Sequence, residues 1–417
     1  MSKVLNTAAL LCAVAACVPF LAGAQPADSQ AISNADVVFG SSLVLSGPSE
    51  IIGREAEAGA RAYFDRINVA GGIGGHKLRL VTLDDHYEPN LAVENTHKLI
   101  KEHHILAAIN YVGTPTTLAA LPVLSAAEVP LVGAVTGAKG LREPFDKTPA
   151  NRYMFNTRAS YADEGTPLAK QLALYGKVAL FVQDDGYGQA VREAVTQGLA
   201  KYGLEPVVIT TIKRNVSGAE LKLAVEQAAD AIAKSGAAAV AVGSVYAPVA
   251  ALNEAMHARG KPTVIASVSF INTTGVLQTM KKSAAGMGIA QDYPTPYFET
   301  TKMVREFRAD IAAWHESLLR QARSAPNKAA ADELLIQAKY AVASYGTEES
   351  WVNARMAAEG LRRMRGPLTS ENLRVALESI GKFDLGDFTV TFTPDSHRGS
   401  TWTELSVVSS DGTKILQ

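Results

Sequence analysis

The chain has 417 residues with 40 Lys+Arg against 41 Asp+Glu, a balance that excludes the basic face a general nucleic-acid binder needs. Hydrophobic residues at 47% and charged residues at 19% describe a globular chain, neither disordered nor fibrous, and the length suits two domains. Both cysteines, Cys12 and Cys17, fall near the start, so no zinc cluster, structural disulfide or cysteine nucleophile is expected beyond them.

In chain order, Lys3 precedes an apolar, Ala-rich run from Val4 to Leu21, closed by Ala22-Gly23-Ala24. A positive start, a short apolar core and small residues before the cut are what a signal peptidase reads, which places a signal peptide at 1–24. Export to a periplasm follows. Pro19 and Gly23 weigh against a membrane anchor, and the apolar Val18-Pro19-Phe20-Leu21 weighs against lipidation at Cys17. After Ala24 no apolar stretch reaches the ~18 residues of a membrane span, so a soluble mature chain with no direct membrane insertion is expected.

The body alternates strand and helix. Strand Val37–Val44 leads to helix Glu55–Asn68, the glycine turn Gly71–Gly75 and strand Lys77–Leu83. Helix Leu91–Lys101, strand Ile105–Tyr111, helix Thr116–Ala127 and strand Val129–Gly133 follow. After the polar stretch Arg142–Arg152 comes a second series, with helices Asp163–Leu174, Gln189–Tyr202, Ala219–Lys234 and Val249–Arg259. Its strands are Val178–Val182, Val207–Ile212, Ala237–Val242 and Thr263–Ala266. Strands separated by helices imply βαβ crossovers and parallel sheets, hence an α/β chain with two doubly wound lobes. The remainder reads as strand Gly286–Ala290, helices Tyr297–Gln321, Asp332–Arg365 and Thr369–Ser379, and a terminal β pair, Phe388–Phe392 with Glu404–Ser409. Divided between the lobes, it gives 35–157 plus 288–382 as lobe 1 and 158–287 plus 383–417 as lobe 2.

Catalytic and cofactor chemistry finds no support. The glycines Gly71–Gly75 follow a helix and open a strand, the reverse of a dinucleotide loop. There is no P-loop motif, no Gly-x-Ser-x-Gly elbow, and no metal-ligand spacing among His76, His86, His97, His103 and His104. No enzyme activity, cofactor or metal is expected. The informative segments are strand-end turns, because open α/β folds bind ligands at the C-terminal edges of their strands. Gly113, Thr114, Pro115 and Thr116 combine hydroxyls with a helix start whose free N–H groups favour an anion such as a carboxylate. A capping role for the threonines reads the same residues equally well. Val135, Thr136 and Gly137 end the next strand in the same way. In the second lobe Tyr187, between glycines, and Tyr246, before Pro248, occupy matching edges.

In order and spacing these residues resemble the periplasmic leucine/isoleucine/valine-type binding proteins, the type I solute receptors of ABC transporters. The resemblance runs through Leu45-Ser46-Gly47-Pro48, Gly53, Gly59-Ala60, Ile67-Asn68, Ala70-Gly71-Gly72-Ile73 and Asp84-Asp85. It continues through Gly113–Thr117, Val129-Pro130-Leu131, Phe155–Arg158 and Asp184–Gly188. It covers about residues 36–300 well and the rest more loosely. It implies two lobes joined by a three-segment hinge, closing on a small solute and presenting the closed form to an inner-membrane ABC permease. By position, Thr114 and Thr116 would hold a ligand carboxylate, Val135, Thr136 and Gly137 an adjoining wall, Ile52 a side wall, and Tyr187 and Tyr246 the opposite face. Ser269 falls where the family's amino-acid binders end the last second-lobe strand and place an acid for the ligand ammonium. Ala266-Ser267-Val268-Ser269-Phe270 carries none, so a carboxylate-bearing or hydrophobic/aromatic solute without a free α-ammonium is expected. The polar stretch Trp314–Leu335, longer than the family's connector, reads as a solvated face. The same clamshell would serve a sensor feeding a membrane signalling protein; an exported α/β hydrolase lacks its nucleophile motif.

Overall fold

The computed structural model describes residues 36–416, so the leader with Cys12 and Cys17 lies outside the described residues. The first series runs β1 (Val37–Leu43), α1 (Glu50–Val69), β2 (Leu78–Asp84), α2 (Pro89–Lys101), β3 (Ala107–Ile109), α3 (Thr114–Ala126), β4 (Leu131–Val132) and β5 (Met154–Phe155). These strands form one parallel sheet in the order β2-β1-β3-β4-β5. β1 is buried along its whole length, which is why it reads as an unbroken run and not as an alternation. Gly40 in its middle lets Ile105 approach; a Cβ there would meet the Ile105 side chain at 2.8 Å.

The second series runs α4 (Tyr161–Ala173), β6 (Val178–Gln183), α5 (Gly186–Ala200), β7 (Val208–Ile212), α6 (Gly218–Ser235), β8 (Ala239–Gly243), α7 (Tyr246–Ala258), β9 (Val264–Ser267), α8 (Thr273–Met280) and β10 (Gly288–Gln291). After it come α9 (Lys302–Arg323), α10 (Lys328–Tyr340), α11 (Tyr345–Arg363), α12 (Ser370–Glu378), β11 (Gly381–Asp384), β12 (Thr389–Phe392), β13 (Glu404–Val408) and β14 (Ile415–Leu416). The second sheet has the order β14-β13-β10-β9-β8-β6-β7, parallel except where β13 joins β10 and β14. α11 packs along α1, and α9 also lies on α1, so the late helices cover the first sheet. Between the sheets the chain crosses three times among the described residues, at 156–160, 292–301 and 393–403.

Four expectations change. β10 belongs to the second sheet, so the segment 288–382 joins the first lobe only after Gln291. The terminal β pair is wrong: β12 pairs with β11, while β13 pairs with β10 and β14. Alternating apolar residues at 388–392 and 404–409 mark strands without naming their partners. The helix read over 332–365 is two, broken at Ala341–Ser344, where Ser344 caps α11 by a reciprocal bond with Thr347. α8, β5, β11 and β14 were not expected at all; each has eight residues or fewer, too short for periodicity to register. The stretch Trp314–Leu335 is the end of α9 and the start of α10.

Candidate functional site

The lobes enclose a cavity of about 30 Å³. Its lining comes largely from strand ends. Ile52, Glu55 and Ala56 lie in the first two turns of α1, Val135 follows β4 and Arg158 follows β5. Ser269–Phe270 and Asn272–Thr274 follow β9, and Asp292 follows β10. The first turns of α11 add Tyr345, Gly346 and Glu349. Both sheets therefore converge on one cleft by their C-terminal edges, where parallel topology leaves loops free to hold a ligand.

Arg158, in the first crossing, is 1% exposed and meets carboxylates from three other elements. Its Nε lies 2.5 Å from Asp292 Oδ2 in the second crossing, its Nη2 3.0 Å from Glu164 Oε1 on α4, and its Nη1 3.3 Å from Glu349 Oε1 on α11. Nη2 also donates to Ser269 Oγ, and Ser269 N donates to Glu164 Oε2 at 2.7 Å. Burial opposes the charge on Arg158, but Asp292, Glu349 and Glu164 outweigh it and keep the guanidinium protonated. Burial pushes all three carboxyls up, with Arg158 as the opposing influence. Beside them the Glu348 carboxyl is fully buried with neither oxygen hydrogen-bonded, and burial raises it well above the carboxylate range.

Next to the cavity stands an aromatic group. Phe270, which lines the cavity, lies 4.7 Å from the Tyr187 ring and 6.2 Å from the Tyr87 ring, and Tyr161 is 5.6 Å from Tyr187. All three tyrosines are at most 1% exposed; Gln183 stands by the Tyr87 hydroxyl and Thr136 by that of Tyr161, while the Tyr187 hydroxyl has no hydrogen-bond partner. Local structure fixes two of them. Asp85 accepts the Tyr87 N–H at 2.8 Å and the Ser42 hydroxyl at 2.7 Å, which holds Tyr87 at φ 60. Asp185 caps α5 by accepting the Tyr187 N–H at 2.9 Å. Gly113 precedes α3 at φ 94, and a Cβ there would strike the Tyr87 ring at 2.2 Å. No side chain caps the N-terminus of α3.

A family model described as periplasmic binding protein matches residues 36–413. The chain belongs to the periplasmic binding protein family. An amino acid binding protein of Pseudomonas aeruginosa is 27% identical over 183 residues, 43% of this chain and 48% of that protein. The chain thus spans about half the length of the curated relatives it matches first. A substrate-binding periplasmic protein from Ralstonia solanacearum superposes with a TM-score of 0.78 at 28% identity, covering 92% of this chain and 100% of that one. A branched-chain amino acid ABC transporter structure from Thermus thermophilus with bound valine shares the fold, with a TM-score of 0.72 at 18% identity, covering 90% of this chain and 94% of that one. The family and these neighbours are solute-binding proteins, not enzymes, and the fold is that of type I periplasmic binding proteins. Among the described residues no helix is long and apolar enough to cross a membrane.

Of the residues singled out in the sequence, this periplasmic binding protein brings Ile52, Val135 and Ser269 to the cavity. Thr114 and Thr136 are outside its lining, fully buried, with their hydroxyls bonded to each other at 2.6 Å. Gly137 backs the aromatic group, its carbonyl accepting the Tyr161 N–H at 2.8 Å. Pro115 stands half-buried in the first turn of α3. Thr116 turns its hydroxyl back to the Val112 and Gly113 carbonyls, so it closes its own helix and offers nothing to the cleft. Tyr246 opens α7, packs on Gly275 and stands outside the cavity lining.

Glu55, Tyr87, Tyr161, Asn272, Asp292 and Glu349 were missed. Glu349 had a readable signal, since Glu348-Glu349 runs into Ser350-Trp351-Val352 on the buried face of α11. Asn272 follows β9, and Asp292 follows β10, at least as closely as Thr114 follows β3. The expectation that an ammonium would lack a counter-charge also changes its footing. The strand end Ala266–Phe270 indeed carries no acid, but Glu55, Asp292 and Glu349 reach the cavity from other elements.

Proposed function

We propose that the chain is an extracytoplasmic receptor that captures a small carboxylate-bearing solute between its lobes and delivers it to an ABC permease. The observation that carries the reading is the convergence of strand ends from both sheets on one closed cleft, with a set of unpartnered donors beside it. The Tyr187 hydroxyl and the uncapped start of α3 are donors without acceptors, an environment that suits a carboxylate. The three crossings act as the hinge. Ligand spanning both lobes stabilises the closed state, and only that state engages the permease. The likeness to a transporter protein with bound valine supports the same reading.

A thermal-shift screen over amino acids and small aliphatic and aromatic carboxylates tests it, since a ligand selective for the folded state raises the melting midpoint. At ~100-fold excess over Kd the stabilisation is about 2.7 kcal/mol, a shift of several degrees. Val135→Trp, which fills the cavity, is expected to abolish that shift. A wild-type response that Val135→Trp leaves intact would move the site elsewhere.

A further inference from the structure

We infer that the pole of the second lobe farthest from the cleft is a docking surface for an anionic lipid bilayer, on which the protein rests without spanning it. The inference goes beyond solute capture and holds whatever the solute is.

The C-terminal edges of the second sheet face the cleft, so the turns that enter its parallel strands gather at the opposite end. Residues 174–177 enter β6, 201–207 enter β7, 234–238 enter β8, 259–263 enter β9 and 281–287 enter β10. β13 runs antiparallel to β10, and β14 to β13, which brings the turn 409–414 to the same end. Close approaches tie these turns together. A Cβ on Gly236 would lie 3.8 Å from Lys177 Nζ, and one on Gly412 would strike the Lys281 carbonyl oxygen at 2.0 Å.

The turns carry Lys177, Lys201, Lys234 and Lys261 on one side and Lys281, Lys282 and Lys414 on the other, all of them exposed. Among the described residues the lysines that form ion pairs are others, Lys139, Lys213 and Lys302. Arg259 is neutralised by Glu226 and Asp230. The acids in these turns are Glu205 and Asp411, and Asp411 is occupied by Ser409 and Thr413. Lysines near helix C-termini offset the helix dipole, but that role would recur in the first lobe, whose strands are also entered from helix ends. There Lys77, Lys101 and Arg152 stand with Asp36, Glu102 and Glu128, and no surplus arises. With 40 Lys+Arg against 41 Asp+Glu in the whole chain, the basic pole is a local concentration.

Apolar side chains stand among the lysines. Leu174 is 83% exposed, Tyr202 46%, Val207 43% and Tyr175 42%. α4 and α5 pack together, and Leu174, Tyr175 and Tyr202 follow their C-terminal ends. Leucine and tyrosine set in lysines match the interface of an anionic bilayer, where the apolar groups enter the head-group layer and the ammonium groups meet phosphate. An acidic protein or a soluble polyanion would use the charge and leave Leu174 without a role. Docking by this pole keeps the cleft open to solute.

The test uses the chain from Gln25, which keeps every described residue and drops the apolar leader. It is floated with vesicles of phosphatidylglycerol and phosphatidylethanolamine, or of phosphatidylcholine alone. The protein should float with the anionic vesicles at low salt, stay behind with phosphatidylcholine, and be released as salt rises toward about 1 M. Lys177→Gln, Lys201→Gln, Lys234→Gln and Lys261→Gln together should weaken anionic binding about a hundredfold or more, since each surface lysine is worth about fivefold. Leu174→Ser, with every lysine kept, should weaken it about threefold or more. These side chains are exposed, so the melting midpoints should stay at the wild-type value and lost flotation is not lost folding. Absence of flotation with anionic vesicles overturns the inference, as does flotation that the lysine variant leaves unchanged. Heparin binding as tight as vesicle binding, with Leu174→Ser equal to wild type, overturns it too and makes the pole a site for a soluble polyanion.

Discussion

Two ionic contacts hold the lobes of this protein together, and they sit in opposite surroundings. At the hinge, Arg158 and its three carboxylates are each at most 6% exposed in their side chains. At the rim, Arg214 after β7 reaches Glu88 after β2 at 2.9 Å and Asp185 at 3.1 Å, and the Glu88 side chain is 43% exposed. Asn215 reinforces the rim by donating to His86 O and to Glu88 Oε1, each at 2.8 Å. The chemistry is alike, but the dielectric is not. Buried charges cost much to desolvate and are little screened by salt, so the hinge responds to protons and to removal of a partner. Exposed pairs gain little and are screened, so the rim responds to ionic strength.

The largest effect is expected from breaking the hinge. Arg158→Met leaves Glu164, Asp292 and Glu349 enclosed without their cation and unties both crossings at once. Measured by urea unfolding above pH 8, where Glu164 and Glu349 are ionised, the loss should be about 3–5 kcal/mol, the usual cost of orphaning a buried partner. A loss below about 1 kcal/mol would mean that the acids are held neutral and that Arg158 is not what holds the hinge.

A pH profile sharpens the same contrast without a mutation. Burial raises Glu164 from 4.5 to about 7 and Glu349 from 4.5 to about 8 against the pull of Arg158. With folded values above unfolded ones, the native state binds more protons. The stability they contribute is therefore complete below about 4.5 and is lost as pH rises through about 7 and 8. The slope per group is at most about 1.4 kcal/mol per pH unit. Urea midpoints of unliganded protein should fall across this window, and Glu349→Gln should flatten the fall. A midpoint that climbs instead would reverse the assignment.

How much of this was legible in the sequence follows from the range of each interaction. The parallel strands β1, β6 and β8 are buried throughout and announce themselves as apolar runs. The turns at Thr114, Val135 and Ser269 were found because position at a strand end is a local property. The partners of Arg158 were not, because Asp292 and Glu349 lie more than a hundred residues away and no local pattern pairs them. Thr116 illustrates the opposite error. A threonine at a helix start serves equally as a cap or as a ligand donor, and only the structure shows its hydroxyl turned toward its own carbonyls. The strand pairing at the C-terminus escaped for a related reason, since alternation fixes a face and not a neighbour.

The smallest effect belongs to the rim. Arg214 also lies over the Tyr87 ring at 5.7 Å, so it bridges a charge and an aromatic face across the cleft mouth. Under the proposed capture mechanism, closure is what brings Arg214 to Glu88, and the pair is then expected to stabilise the liganded state more than the open one. Its worth, discounted for the exposure of Glu88, is under about 1 kcal/mol, or up to about fivefold in solute affinity. Arg214→Gln should therefore weaken calorimetric affinity by that factor at low salt. Raising the salt toward 1 M, where the screening length is about 3 Å, should weaken wild type to the same level and leave the variant nearly unchanged. Parallel salt dependence in the two proteins would assign the screening to charges other than this pair, and the rim would then hold the lobes by shape and by Asn215 alone.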